Sequence, residues 1–321
     1  HDDPWTAVDV SYDRAAGSID AVVTDTHHVE LRFNLQDMGL DTVPRYVIVD
    51  RDLRTNALRL NYAQPVGGWL TVSTVNGGEH QLTVYPETEH RRIEILDETD
   101  GIHDTYLDGW NRTRKEQYTE QGLKLRKDDV YSPLIKFDLT GIPQGARILE
   151  ATVMLYVSLA GDSPSETPVV DAYKVNKAWV DSEASYEQAR NGVSWTLPGC
   201  NAPDQDRDVE PCGSDTIPGV GNWCSFDVTS AAQWWVDNPL GNQGVILKSR
   251  NYLGSGWYEF ASSEHENAAL RPQLVVVYEY SPTSTPVATM THTATPSPTL
   301  IPSATHTIVA SHWLYLPIVI K

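Results

Sequence analysis

Basic residues are scarce in this 321-residue chain. Lys and Arg number 24 against 43 Asp and Glu, for a net charge of −19. That deficit excludes nucleic acid as a partner, because a phosphate backbone needs a basic footprint. Met and Cys are also rare, at three each. The cysteines show no C-x-x-C spacing, so a zinc module is not expected. No apolar run approaches the roughly 20 residues of a membrane-spanning helix, so no transmembrane segment is expected. Catalytic signatures are missing too. There is no G-x-S-x-G elbow, and His265-Glu266-Asn267-Ala268-Ala269 has Ala where H-E-x-x-H needs its second His. No pair among so many carboxylates stands out as an acid/base couple, and no enzyme is expected.

What the chain does have is strand chemistry. It carries 15 Tyr, 10 Trp, 21 Gly and 20 Pro. Short alternating or apolar runs recur at 8–12, 18–23, 29–35, 45–49, 57–62, 70–75, 81–85 and 92–96. Turn residues such as Ala16-Gly17, Gly67-Gly68 and Asn76-Gly77-Gly78 separate them, the last being a hairpin signal. Residues 1–96 are therefore expected to form a β-sandwich, with 35–44 able to hold one helical turn. An acidic join, 97–101, leads to a second β-domain over 102–280. That domain should contain one helix near 230–237, opened by a Ser230-x-x-Gln233 capping box and stopped by Asn238-Pro239. The fold class is all-β, with two jelly-roll-like sandwiches.

The tail is different. From Ser281 to Thr307, 18 of 27 residues are Ser, Thr or Pro, and no charged residue occurs before Lys321. A linker over 281–310 that is extended and carries sugars on Thr283, Thr285, Thr295 and Thr299 is the expectation. Residues 311–321 end the chain, with Trp313, Leu314, Tyr315, Leu316, Pro317, Ile318, Val319 and Ile320 apolar in succession. A strand apolar on both faces must dock to escape aggregation. The leading expectation is a non-enzymatic extracellular filament subunit. Its terminal strand would add to an open sheet edge in the N-terminal domain of another copy, giving a head-to-tail homopolymer. The alternative is a surface-anchored, polysaccharide-binding adhesin. The start at His1, without a leader-like apolar segment, is read as a mature secreted chain.

Within 102–280 a series of motifs appears in fixed order. Asp104-Thr105-Tyr106-Leu107 opens it, followed by Ile135-Lys136-Phe137-Asp138-Leu139, Ile142-Pro143-Gln144-Gly145-Ala146 and Ala151-Thr152-Val153-Met154-Leu155-Tyr156. Phe226-Asp227-Val228-Thr229, Gly244-Val245-Ile246-Leu247, Phe260-Ala261-Ser262-Ser263-Glu264 and Arg271-Pro272-Gln273-Leu274 complete the series. This stretch resembles the DNRLRE domain, a secreted jelly-roll module related to the disaggregatase repeat. The resemblance implies a jelly roll and, for some members, binding of acidic polysaccharides such as alginate. It departs at Ser185-Tyr186, where the family has Thr-Trp, and at an acidic loop flanked by Cys200 and Cys212.

Four groups of residues are candidates for chemistry. Trp110, Tyr131, Tyr252 and Trp257 lie near turn signals and offer flat faces for sugar rings, although such aromatics are more often core or lid residues. Lys124 and Arg126, with Lys127, form a rare basic cluster suited to an acidic glycan. Asp204, Asp206 and Asp208 alternate as in a calcium loop, with Asp215 at the twelfth position. A structural calcium is the expected ion if there is one, against a plain solvated loop; no cofactor is required. Three cysteines allow three pairs, and Cys200–Cys212 is the expected disulfide, with Cys224 a small buried residue. Asn111-Arg112-Thr113 is a glycosylation acceptor.

Overall fold

The computed structural model describes residues 7–13, 18–25, 30–34, 46–53, 58–63, 66, 69–73, 78–88, 90–97, 101–161, 168–250 and 256–280. They all fall in the first of two units, His1–Pro282 and Thr283–Lys321. The expected helical turn at 35–44 and the whole tail, with Thr283, Thr285, Thr295, Thr299 and the strand 313–320, lie outside the described residues.

The first region contains β1 (Ala7–Asp13), β2 (Ser18–Asp25), β3 (Glu30–Asn34), β4 (Tyr46–Asp52), β5 (Leu58–Ala63), β6 (Trp69–Ser73), β7 (Gly78–Pro86) and β8 (Arg91–Leu96). All eight expected strands are present, shifted by a residue or a few. β1, β2, β7, β4 and β5 make one antiparallel sheet in that order, while β3 and β6 pair separately. Asn76 and Gly77 of the expected hairpin lie outside the described residues, and β6 and β7 on either side are not paired with each other. β6 pairs with β3, and β7 lies between β2 and β4.

The second region contains β9 (Ile102–Asp108), β10 (Gly122–Leu125), β11 (Tyr131–Phe137), β12 (Arg147–Gly161), β13 (Val169–Lys174), β14 (Gln188–Arg190), β15 (Val193–Ser194), β16 (Gly213–Thr216), β17 (Trp223–Asp227), α1 (Thr229–Asp237), β18 (Val245–Ser249), β19 (Trp257–Ala261) and β20 (Gln273–Glu279). Two antiparallel sheets result. Sheet one runs β10-β19-β12-β20-β8, with β17 also paired to β12, and sheet two runs β16-β13-β18-β11-β9. β8, counted with the first region by sequence, thus belongs to sheet one, where Ile93 faces Val277 and Ile95 faces Val275 in register.

Alternation explains the layers. Leu274, Val276 and Tyr278 of β20, with Val153, Leu155 and Phe260, meet Ile135, Phe137, Val245 and Leu247 across the sandwich core. Cys224, Phe226 and Val228 join this core from β17 and just beyond it, as their spacing predicts. The intervening residues are apolar too, so both sheets are covered on their outer faces as well. Leu134 and Ile246 of sheet two pack under Trp179, Ala184, Ala189, Trp195 and Cys200 of a cap spanning 176–208. Val275, Val277 and Ile93 of sheet one pack under Val47, Val49 and Leu58 of the first region.

The expected helix is α1, which buries Ala231, Ala232, Trp235 and Val236. Its capping box is not formed. Gln233 instead accepts from the Ile148 N–H and donates to the Ala146 carbonyl, tying the helix to the start of β12. The Thr229 N–H is taken by the Asp227 carboxylate. The helix stops at Asn238, as expected, and a short 3-10 turn over Pro239–Gly241 follows.

Candidate ligand-binding face

Two loops at one end of the sandwich build this face. In the first, the buried Asp108 carboxylate accepts hydrogen bonds from the Trp110 and Asn111 N–H groups, both at 2.9 Å, and from the Asn111 amide at 3.0 Å. This Asx-type turn projects Trp110 outward with 60% of its surface exposed. The second is the turn between β10 and β11. Asp128 and Asp129 have φ of 56° and 57°, and the Arg126 N–H reaches the Tyr131 carbonyl at 3.0 Å. Two successive left-handed residues match the twist of a tight hairpin, and Asp tolerates that region better than most residues.

Lys248 holds the second loop from below. Its buried ammonium donates to Asp129 at 2.9 Å, to Ser132 at 3.2 Å and to the Gly199 carbonyl at 2.8 Å. The Gly109 N–H bonds the Val130 carbonyl at 2.8 Å and joins the two loops. A Cβ on Gly109 would stand 2.8 Å from the Asp129 carbonyl oxygen, so only glycine allows this approach.

Aromatic and cationic side chains then follow one another. The Arg126 guanidinium lies 4.5 Å from the Trp110 ring centre. Tyr131 meets Trp110 edge-on at 5.6 Å and Tyr106 at 5.6 Å. Lys124 stands 5.6 Å from Tyr106 and 5.9 Å from Trp257. The Trp257 indole lies over Gly161, where a Cβ would come within 2.2 Å of the ring. Under this row, Tyr106 donates to Glu120 at 2.9 Å, and Arg114 and Lys124 pair with the same carboxylate. Glu259, opposite Lys124 in the β10–β19 ladder, has its carboxyl raised by burial, with Glu120 adding to the effect. Among the described residues Arg126 has no carboxylate partner.

Five of the six residues expected to bind a glycan, Trp110, Lys124, Arg126, Tyr131 and Trp257, therefore lie along one continuous row; Tyr252 lies outside the described residues. Asn111 is exposed beside Trp110, with its amide engaged by Asp108. Sequence reasoning did not single out Tyr106, Glu120 or Lys248. Tyr106 stands in the Asp104-Thr105-Tyr106-Leu107 motif, but nothing local says that it underlies an exposed row.

Two expected clusters do not form. Asp206, Asp208 and Asp215 engage separate protein partners. Asp206 is fully buried and accepts from the Thr196, Leu197 and Ala202 N–H groups, with Lys177 at 3.3 Å. Burial alone would raise its pKa, but these bonds outweigh it and hold the carboxylate below its ordinary value. Asp208 pairs with Lys174 at 3.1 Å. Asp215 accepts from Thr216 and Ser225 and is pushed up to about 6 by burial. Asp204 is exposed. No group of three or more metal-ligating side chains occurs among the described residues.

Nor are Cys200 and Cys212 bonded: all three cysteines are free thiols. Cys200 sits in the cap core with its thiol on the Asp206 carbonyl at 3.6 Å, whereas Cys212 packs against the sandwich core with its thiol on the Ala172 carbonyl at 3.2 Å. Burial pushes both thiols up to about 12, so they stay protonated and unreactive.

A two-sheet β-sandwich with an aromatic and cationic row at one end is the class of module defined by these features. Within that class, a model of the disaggregatase related repeat domain matches residues 111–276, and the chain belongs to that family. No curated protein matches it. Among solved structures, a β-porphyranase of glycoside hydrolase family 86 from Bacteroides plebeius is similar at 13% identity with a TM-score of 0.22. That alignment covers 88% of this chain, which spans 38% of the porphyranase's length. The glycosylasparaginase PNGase F of Flavobacterium meningosepticum is similar at 10% identity and a TM-score of 0.20, over 85% of this chain and 96% of that one. Likenesses at such TM-scores carry no argument about activity. No helix among the described residues is long and apolar enough to cross a membrane.

Proposed function

We propose that this chain is a non-enzymatic, extracellular polysaccharide-binding module whose ligand lies along the row from Trp110 to Trp257. The observation that supports this most is the convergence of Trp110, Tyr131 and Trp257 with Lys124 and Arg126 on one face. Sugar rings present flat arrays of C–H groups that pack on aromatic faces. Guanidinium and ammonium groups beside those faces read carboxylates or sulfates on the same sugar. An anionic polysaccharide is thus the preferred ligand. The test is retardation in gels containing polyuronate, sulfated galactan or neutral glucan. Wild-type protein is expected to be slowed most by an anionic polymer, and Trp110→Ala to lose about tenfold in affinity. Equal mobility of wild type and Trp110→Ala in every polymer would refute the assignment.

Self-assembly is a second proposed reading. β8 stands last in its sheet's strand order, the position at which an added strand would extend the sheet. The apolar strand Trp313–Ile320 of another copy is the proposed occupant. Deleting residues 313–321 should then abolish concentration-dependent association in analytical ultracentrifugation while leaving the fold intact. Unchanged association after the deletion would eliminate this reading.

A further inference from the structure

We infer that Tyr186 and Arg112 form an additional subsite at which the cap takes a further unit of an anionic glycan chain, so that the face accepts a chain interior rather than a single terminal sugar. This inference rests on the polysaccharide-binding reading. Three observations carry it. First, the Arg112 guanidinium lies 4.6 Å from the Tyr186 ring centre, which repeats the pairing of Arg126 with Trp110 at 4.5 Å. Arg112 is two residues beyond Trp110 on the same loop, and a Cβ on Gly109 would stand 3.3 Å from the Tyr186 ring. The two pairs are therefore neighbours, with Trp110 common to the loop that carries both.

Second, the cap is fastened to this loop by polar bonds rather than merely resting on it. The Glu187 N–H reaches the Arg112 carbonyl at 3.2 Å, and the Glu187 carboxylate pairs with the Arg112 guanidinium. Lys115 donates to Asn191 at 2.5 Å and to Gln188 at 3.4 Å. The separation between Tyr186 and Trp110 is thus held by the fold, as a ruler for successive sugars must be.

Third, Tyr186 differs from the other large aromatics of the cap. Trp179 and Trp195 are buried, and their indole N–H groups are satisfied by the Gln243 and Ser185 carbonyls at 2.8 and 2.9 Å. Tyr186 packs its ring against the same core but is only half-buried, and its hydroxyl has no hydrogen-bond partner among the described residues. An unused hydroxyl beside a guanidinium suits a sugar hydroxyl and an acidic substituent that would take the place of Glu187 on Arg112.

The experiment is calorimetric titration with oligouronides graded from disaccharide to octasaccharide. It uses wild type, Trp110→Ala, Tyr186→Ala and, should the alanine variant fold poorly, Tyr186→Phe and Arg112→Gln. Wild-type affinity should climb with length before levelling. Trp110→Ala should weaken every length. The Tyr186 and Arg112 variants should leave the shortest ligand unaffected and remove the gain on long ones, about tenfold for Tyr186→Ala. A uniform loss at all lengths, or no loss at any, overturns the subsite. Binding by wild type to neutral glucans alone overturns its anionic character. Failure of wild type to bind any of the polymers used above overturns the broader reading, and this inference falls with it.

Discussion

The two outer faces of the sandwich are covered in contrasting ways. The cap on sheet two closes with its key charge matched. Asp206 is buried, yet three backbone N–H groups and Lys177 surround it. The cover on sheet one has an apolar contact of comparable kind but poorly matched charge. Glu150 is buried at this contact, its Oε1 has no hydrogen-bond partner, and Arg51 approaches only to 3.9 Å while bonding Asp227 at 2.9 Å. Burial, with Asp227 adding repulsion, pushes the Glu150 carboxyl up to about 8. In the same region, burial raises Asp50 despite His80 at 2.8 Å. Burial alone therefore does not set a carboxyl's charge; the number of donors offered to it does.

The largest test removes the matched charge. Asp206→Ala leaves three N–H groups and a lysine without their acceptor and should cost about 3 kcal/mol in urea denaturation. The 176–208 segment should become sensitive to protease first. An unchanged midpoint would mean that the cap's apolar core alone holds it.

Next comes the mismatched charge. The folded state binds the Glu150 proton more tightly than the unfolded chain, so stability falls as pH rises from about 4.5 to about 8 and levels beyond. Asp104, pushed up to about 7, and Asp215, pushed up to about 6, act with the same sign over narrower ranges. Asp206 has the opposite sign, and its contribution is lost only as pH falls below 3.8. Glu150→Gln should flatten the decline and gain roughly 2 kcal/mol at alkaline pH. Thermal melts across pH decide this: an equal decline in the variant would move the cause elsewhere.

A smaller effect is expected at the turn beside the aromatic row. Asp128→Gly relieves one left-handed residue and should raise stability by about 1 kcal/mol in the same urea assay. Destabilisation would mean that the turn is held by side-chain bonds instead. Smallest of all is the effect of reductant. With three free thiols the melting temperature should not move, and denatured protein should react with three equivalents of a thiol reagent. A count of one would restore a disulfide.

Much of this architecture could be read from residue order. Strands alternate or run apolar, so their existence and approximate ends followed from Val, Ile, Leu and turn residues. The residues of the aromatic and cationic row were legible as aromatics beside turns and a basic cluster in an acidic chain. Pairing was harder. β8 looks like the last strand of the first region because proximity in sequence is all that alternation reports. Its place beside β20 depends on Ile93 and Ile95 meeting Val277 and Val275, more than half the chain away. The alternating aspartates misled for a related reason. A sequence shows carboxylates at regular spacing but not the backbone N–H groups of Thr196 and Leu197 folded back to receive Asp206. The capping box failed likewise, since Gln233 found a partner at the start of β12 that no local rule could reveal.

The β8–β20 ladder has a mechanical consequence. The chain enters β8 at Arg91 and leaves β20 at Glu279, and these residues are opposite one another at the same end of the ladder, joined by an ion pair at 2.5 Å. Tension between the first region and anything attached beyond Tyr280 would load that end of the ladder first. The ladder would unzip one hydrogen bond at a time, beginning with Arg91 and Glu279, rather than shear with all its bonds resisting together. A module strung along a stretched chain in this way yields at low force and closes again when the load is released.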